Sequence, residues 1–241
     1  MSYNFFAQIY DELTNNVEYE KRIDYIVNIL NQNGLNSGKI LDLACGTGTM
    51  SILAKNRGFD VVGLDLSEDM LAVADNKSNG SITFIKSSMQ DFELSEKIDA
   101  CMCNLDSINH LGSIEDVINT FECVYKSLNK NGIFIFDVNT VYKHKEILAN
   151  NSFVFDEENY FLAWDNELIE ENVIKIFIDI FAYNGINYDR YSETFIENAY
   201  DVDEIKSSLE PYFDVLNVFD DVSFNEPKID SERLYFVCKR K

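Results

Sequence analysis

Basic residues are scarce in this chain. Lys and Arg total 20 against 42 Asp and Glu, a formal net charge of −22. Such a surface repels polyanions and offers few counterions to a phosphate backbone, so no nucleic-acid partner is expected. Long apolar runs are missing too, which argues against a membrane partner, and the N-terminal M-S-Y-N-F-F-A-Q-I-Y lacks the pattern of a secretory signal. Repeats and low-complexity segments are absent. Cysteine is sparse, odd in number and scattered over Cys45, Cys101, Cys103, Cys123 and Cys238. That usage suits a reducing cytoplasm better than a disulfide scaffold, so a cytoplasmic globular protein is expected. Alternation on a strand puts Cys101 and Cys103 on one face, but no second Cys/His pair accompanies them. They read as core, and no metal site is expected. His144, in the polar Y-K-H-K after the fifth strand, reads as solvated. The oligomeric state stays open.

Hydrophobic residues make up 46% of 241, enough for one α/β domain with a modest insertion. Residues 17–32 carry Val17, Ile23, Ile26, Val27 and Leu30 at helical spacing and stop at Asn33-Gly34. Five short apolar strands follow, at Lys39–Ala44, Asp60–Leu64, Ile82–Ile85, Ile98–Cys103 and Ile133–Val138. Helices alternate with them, one capped by Ser67 and one running from Ser113 to Leu128. Strands apolar on both sides and alternating with helices imply a parallel sheet covered on both faces. From Ser152 to about Ala199 the pattern becomes β-rich, with turn signals at Glu157–Asn159, Glu170–Asn172 and Asn184-Gly185. Asp201 then opens a short helix, and strands near Phe213–Phe219 and Arg233–Lys239 close the chain. The expected fold is α/β: a Rossmann-like, mostly parallel seven-stranded sheet with a C-terminal antiparallel hairpin and an inserted antiparallel β cover. Residues 1–150 and 200–241 would form the core, and 151–199 an inserted subdomain over an acceptor pocket. Phe153, Tyr160, Trp164, Phe177 and Tyr183 supply its aromatic surplus, only some of which alternation can turn toward the pocket.

The most informative segment is K-I-L-D-L-A-C-G-T-G-T-M, residues 39–50. A buried strand ends in Gly46 and Gly48 and a helix starts at once, so bare backbone and unpaired N–H groups face any ligand there. Nineteen positions after Gly46, Asp65 ends the second strand, where a carboxylate can accept from both hydroxyls of a ribose. A dinucleotide fingerprint would place a third glycine at Ser51, and that mismatch counts against a nicotinamide-dependent oxidoreductase. A non-catalytic cofactor-binding protein stays open on fold grounds. Asp42, four residues before Gly46, either orients the loop from behind or reaches a ligand ammonium through water.

The D-x-x-x-G-x-G turn, Asp65, the D-L-S-E-D-M-L helix start and the F-D-V strand together resemble the class I S-adenosylmethionine-dependent methyltransferases. The resemblance spans nearly the whole chain. It implies S-adenosyl-L-methionine as cofactor and methyl transfer to a nitrogen or oxygen of a small-molecule acceptor. It further implies that the turn at Ala44, Cys45 and Gly46 holds the methionine moiety and that Asp65 holds the ribose. Leu66 and Met70 would flank the adenine. Many relatives carry an acid after the third strand; here the stretch is K-S-S-M-Q-D-F, leaving Ser88, the Met89 backbone or Gln90 to meet the adenine edge. C-N-L-D-S-I-N-H-L is similar to the matching segment of glycine N-methyltransferase and amino-sugar N,N-dimethyltransferases, as is Y-D-E-L followed by Tyr19. That likeness implies an N-terminal helix over the cofactor, with Tyr10 and Tyr19 near the sulfonium, Arg22 on the cofactor carboxylate, and Asn104 in the cofactor set. His110 is the candidate base, since histidine changes charge near neutrality and the loop lies on the carboxyl edge of the sheet. A second reading has His110 capping or packing the helix from Ser113. Asp106 would orient His110 or bind an amine.

Overall fold

The computed structural model describes residues 3–241. Two helices, α1 (Tyr3–Leu13) and α2 (Tyr19–Gln32), precede an alternating run: β1 (Lys39–Leu43), α3 (Thr49–Asn56), β2 (Asp60–Asp65), α4 (Glu68–Ser78), β3 (Thr83–Lys86), β4 (Ile98–Cys103), α5 (Ile114–Ser127) and β5 (Leu128–Asn139). Then come β6 (Ser152–Asp156), β7 (Tyr160–Glu170), β8 (Val173–Tyr183) and β9 (Tyr188–Asn198), followed by α6 (Val202–Leu209), β10 (Phe213–Asp220) and β11 (Arg233–Arg240). The seven-stranded sheet has the order β10-β11-β5-β4-β1-β2-β3, and β6-β7-β8-β9 form a separate four-stranded antiparallel sheet. Only β11 runs antiparallel to its neighbours β5 and β10. Both sheets are as the residue pattern leads one to expect. Among the described residues no helix is long and apolar enough to cross a membrane.

Strand alternation divides the main core between the two faces of the large sheet. Leu41, Cys101, Cys103, Phe134, Phe136 and Phe236 pack toward α5 and α6. Ile40, Ala100, Met102, Ile135 and Val237 pack toward α2 and α3. Cys101 and Cys103 are core, and burial pushes both thiols well above their ordinary range. Helix starts are set by side-chain caps: Ser67 Oγ accepts from the Met70 N–H (3.3 Å) and Ser113 Oγ from the Asp116 N–H (3.2 Å). A third core lies under the second sheet. Ile174, Ile176, Ile178 and Ile180 alternate inward along β8 and meet Phe6, Ile9 and Leu13 of α1. Each isoleucine so buried contributes roughly 1.5–3 kcal/mol. One short helix near the N-terminus thereby belongs to the packing of a sheet formed by residues 152–198.

Asp42 is the exception in this apolar frame. It sits within β1, is 2% exposed, and accepts a hydrogen bond from Ser51 Oγ at 2.5 Å. Burial pushes its carboxyl up to about 7, against the lowering by Ser51 and with help from the Asp65 charge. The folded chain therefore holds this proton more tightly than the unfolded chain does. Its stabilising effect is present below the ordinary carboxylate range and is lost as pH rises toward about 7. Asp42→Asn keeps an acceptor for Ser51 and does not ionise. Thermal melts are expected to show a shallower fall of stability in the variant than in the wild type between about pH 4 and about pH 8; equal slopes refute the assignment.

Candidate functional site

β1 and β2 end side by side, Leu43 opposite Leu64, and the chain leaves β1 through a turn of left-handed residues: Ala44 (φ 57°), Gly46 (φ 53°) and Gly48 (φ 74°). At Gly48 a Cβ would lie 2.9 Å from the Ala74 Cβ, so the turn can seat against α4 only without a side chain. At Gly46 a Cβ would meet no described atom within 4 Å, because this backbone faces open space. Ala44 has no such latitude, and a left-handed alanine costs about 1–3 kcal/mol unless its surroundings hold it. They do. The Cys45 N–H donates to the Leu64 carbonyl (3.0 Å), and the Gly46 N–H donates to Asp65 Oδ2 (2.8 Å). The other oxygen of Asp65 accepts from the Ser67 N–H (2.8 Å), so one carboxylate ties the turn after β1 to the start of α4.

The turn opens into a cavity of about 760 Å³. Every residue assigned from the sequence to catalysis or the cofactor lines it: Tyr10, Tyr19 and Arg22 from the first two helices, Ala44 and Gly46 from the turn, Asp65, Leu66 and Met70 after β2, Ser88, Met89 and Gln90 after β3, and Asn104 and His110 after β4. The Asn104 amide is 5% exposed, and neither its nitrogen nor its oxygen has a hydrogen-bond partner among the described residues. A ligand with both donors and acceptors at the end of β4 would satisfy it. Arg22 donates to the Tyr235 hydroxyl (2.9 Å), which holds the guanidinium at the cavity wall. Tyr19 donates to Thr14 Oγ1 (2.9 Å), which in turn donates to the Tyr10 carbonyl (2.7 Å). The Tyr10 phenol is pushed well up, by burial first and then by Tyr19, Asp106, Asp65 and Asp11. It keeps its proton, so it can donate a hydrogen bond but is a poor base.

Helix α1 is held across this cavity by a polar anchor. Asp11 accepts from Thr47 (2.6 Å) and Thr49 (3.1 Å) at Oδ1 and from Lys77 at Oδ2. Burial would raise this carboxyl, but the Lys77, Thr47 and Thr49 bonds bring it below the usual range. Opposite the glycine turn, the inner face of the second sheet supplies Phe155, Tyr160, Leu162, Trp164 and Ile178 to the same cavity. Of the other cover aromatics, Phe153 packs on Trp164, Phe177 lies beneath the Lys175 ammonium (4.9 Å), and Tyr183 is exposed. The loop after β4 is also strained: Leu105 (φ 56°) and Asp106 (φ 54°) are consecutive left-handed residues without glycine. Arg233 bonds both Asp106 and Asp137 and fixes that kink. Burial opposes ionisation of Asp106, but Arg233, Lys143 and His110 hold it down at about 2. The exposed His110 ring rests 5.3 Å from the Phe195 ring, centroid to centroid.

His144 corrects the sequence reading. It is fully buried, not solvated, with Nδ1 3.0 Å from the Asn172 carbonyl and Nε2 3.5 Å from Glu197 Oε2. Its polar neighbours in the chain gave the opposite signal, because the π-helical turn Lys143–Leu148 directs it under the second sheet. Asp11, Lys143, Glu197 and Arg233 were likewise not singled out. Asp11 stands in the Y-D-E-L segment and Lys143 in Y-K-H-K, but neither segment shows which distant groups these side chains meet.

A family profile described as a methyltransferase domain matches residues 40–132. YqeM of Bacillus subtilis (strain 168), named as a methyltransferase, is 34% identical over 245 positions that take in 100% of this chain and 98% of that one. A glycine/sarcosine N-methyltransferase of Parasynechococcus marenigrum (strain WH8102) is 32% identical over 138 positions, covering 55% of this chain and 48% of that protein. Among solved structures, an S-adenosylmethionine-dependent methyltransferase from Clostridium acetobutylicum ATCC 824 superposes with a TM-score of 0.90 at 30% identity, covering 100% of this chain and 99% of that one. CalS10, an amino pentose methyltransferase from Micromonospora echinaspora whose structure is S-adenosylmethionine-bound, shares the fold with a TM-score of 0.79 at 16% identity and 97% coverage of each chain. Identity of 34% over the full length and close superposition on a relative at 30% identity leave one conclusion: the chain belongs to the S-adenosylmethionine-dependent methyltransferases, enzymes whose cofactor is S-adenosylmethionine.

Proposed function

We propose that the enzyme transfers the methyl group to a nitrogen or oxygen of a small molecule bound beneath the second sheet. The observation that carries this reading is the single cavity, with the glycine turn and Asp65 at one end and His110 under an aromatic ceiling at the other. Relatives named for glycine, sarcosine and an amino pentose support a small acceptor. S-adenosylmethionine, when bound, supplies an electrophilic methyl on a sulfonium. The protein's part is then alignment of acceptor and methyl, with removal of a proton where the acceptor arrives protonated. Asp65 would accept from the ribose hydroxyls, with its own position set by the Gly46 and Ser67 amides. Leu66, Met70, Ser88, Met89 and Gln90 would surround the adenine. Arg22 would meet the carboxylate, and Ala44, Gly46 and Asn104 the rest of the methionine part. Tyr10 and Tyr19 would lie near the sulfonium, Tyr10 as a protonated phenol. His110 would take the acceptor's proton. Residues 151–199 would serve as an inserted unit roofing the acceptor. Against a nicotinamide reading, Ser51 is fully buried and spent on Asp42 where a third glycine would be needed.

Three measurements test this assignment. S-adenosylmethionine is expected to raise the melting temperature and NAD to leave it unchanged, and Asp65→Ala is expected to weaken cofactor binding by about 1–3 kcal/mol. Unaltered affinity in calorimetry would sink the role of Asp65. His110→Ala is expected to lower turnover, read as S-adenosylhomocysteine release over a metabolite panel, by roughly 10²–10⁴-fold with cofactor affinity little changed. Turnover close to the wild type would leave His110 a structural residue.

A further inference from the structure

A buried polar cluster lies behind His110, and its geometry fixes which nitrogen of His144 donates. His144 Nδ1 lies 3.0 Å from the Asn172 carbonyl, which only accepts, so Nδ1 carries the hydrogen. In a neutral ring, Nε2 would then turn a lone pair toward Glu197 Oε2, 3.5 Å away. Nε2 makes no hydrogen bond among the described residues, and Glu197 Oε2 is the acceptor it faces. Oε2 accepts from Asn139 Nδ2 (3.2 Å). Glu197 is 4% exposed, both of these contacts fall on the same oxygen, and the side chain lines the cavity. In front of it stand Asp106 and His110. One carboxylate oxygen of each acid and one ring nitrogen of His110 lie within 4.8 Å of one another.

Three acceptor atoms in so small a radius match the three hydrogens of a primary ammonium. A hydroxyl brings one hydrogen and would leave two acceptors facing each other unsatisfied. A carboxylate or phosphate would meet two negative charges. A divalent cation would add two positive charges beside Arg233 and Lys143, whose charges already bear on Asp106. We propose that Asp106, His110 and Glu197 form a subsite for a primary ammonium, the form in which the acceptor nitrogen arrives, and that His144 is the positioning residue that aims Glu197. The inference rests on the small-molecule reading above and narrows it to nitrogen. Methyl transfer to this nitrogen breaks one N–H bond, with the proton passing to His110, and forms one N–C bond. The C–S bond breaks with its electron pair left on sulfur, and the product is a secondary ammonium. The charged groups around Glu197 come from several elements: Lys143 and His144 after β5, Asp106 and His110 after β4, Glu193 on its own strand, and Arg233 on β11. The probe is therefore applied at one fixed pH.

The chain has only two histidines, and both belong to this cluster, so ring-¹⁵N labelling reports on it alone. Protein loaded with S-adenosylhomocysteine is titrated with methylammonium chloride, with potassium chloride, methanol and magnesium chloride as comparisons. Both rings are expected to shift saturably with methylammonium only, and Glu197→Gln to weaken that binding about tenfold or more. No saturable shift, an equal response to methanol or magnesium, or undiminished binding in Glu197→Gln overturns the subsite. His144→Gln keeps a donor toward Glu197, whereas His144→Asn keeps only the donor toward Asn172. The first is expected to bind methylammonium more tightly, and the reverse order overturns the positioning role. The wild-type titration decides the subsite even where a variant fails to fold. Failure to load S-adenosylhomocysteine, measured first by calorimetry, would overturn the proposed function together with the subsite, whereas failure with methylammonium alone overturns only the subsite.

Discussion

The Asp65 carboxylate receives one backbone N–H from the turn after β1 and another from the start of α4. Without it the left-handed Ala44 and Gly46 would have no charged acceptor to hold them, and the turn could relax toward ordinary conformations. Charge-assisted bonds of this kind are roughly twice as strong as neutral ones. The path of the glycine turn decides where bare backbone faces the cavity, and the same carboxylate lines that cavity. Scaffold and ligand site thus depend on one side chain. Gly48, packed against Ala74 and Phe84, holds the other end of the turn by shape.

Helix α1 closes the cavity by two different kinds of force. Asp11 holds it to the large sheet through Lys77, Thr47 and Thr49, while Phe6, Ile9 and Leu13 hold it to the second sheet by apolar burial. The polar anchor is partly exposed and weakened by water and salt, whereas the apolar side lies against four buried isoleucines. α1 thus bridges the region around the glycine turn and the inner face of the second sheet.

Charge is distributed very unevenly. The chain as a whole carries a net −22, yet Arg22, Lys143 and Arg233 all line the one cavity. Each is set against a specific partner: Arg22 against Tyr235 and Asp221, Lys143 against Asn139, and Arg233 against Asp106 and Asp137. Burial pulls Lys143 below the usual lysine range, with Arg233 adding to the effect, while Asp106, Glu197 and Glu232 oppose it. Arg233 neutralises buried carboxylates at the strained Leu105–Asp106 kink, and Lys143 adds to the charge that bears on Asp106. The excess of acid lies elsewhere on the chain, while the cavity gathers cations and carboxylates together.

Strand alternation and helix periodicity are local properties, and they determined both sheets, the order of their elements and the position of the glycine turn. Asp65 was legible for the same reason, since strand ends on one edge of a parallel sheet are neighbours once the order is known. Tertiary structure alone decided which far-separated groups meet. His144 reads as solvated among lysines, and only the turn after β5 places it beneath β8 and β9, against Glu197. Glu197 looks like any acid on an alternating strand until the second sheet is laid over the β4 loop. Asp11 belongs to Y-D-E-L, but its partners are fixed only when α1 is folded back onto the turn at Thr47 and Thr49. Within-element patterns record which face is apolar. They do not record which polar side chain on that face will be buried opposite another, because that depends on how whole elements dock, and docking is set by the summed burial of many apolar residues.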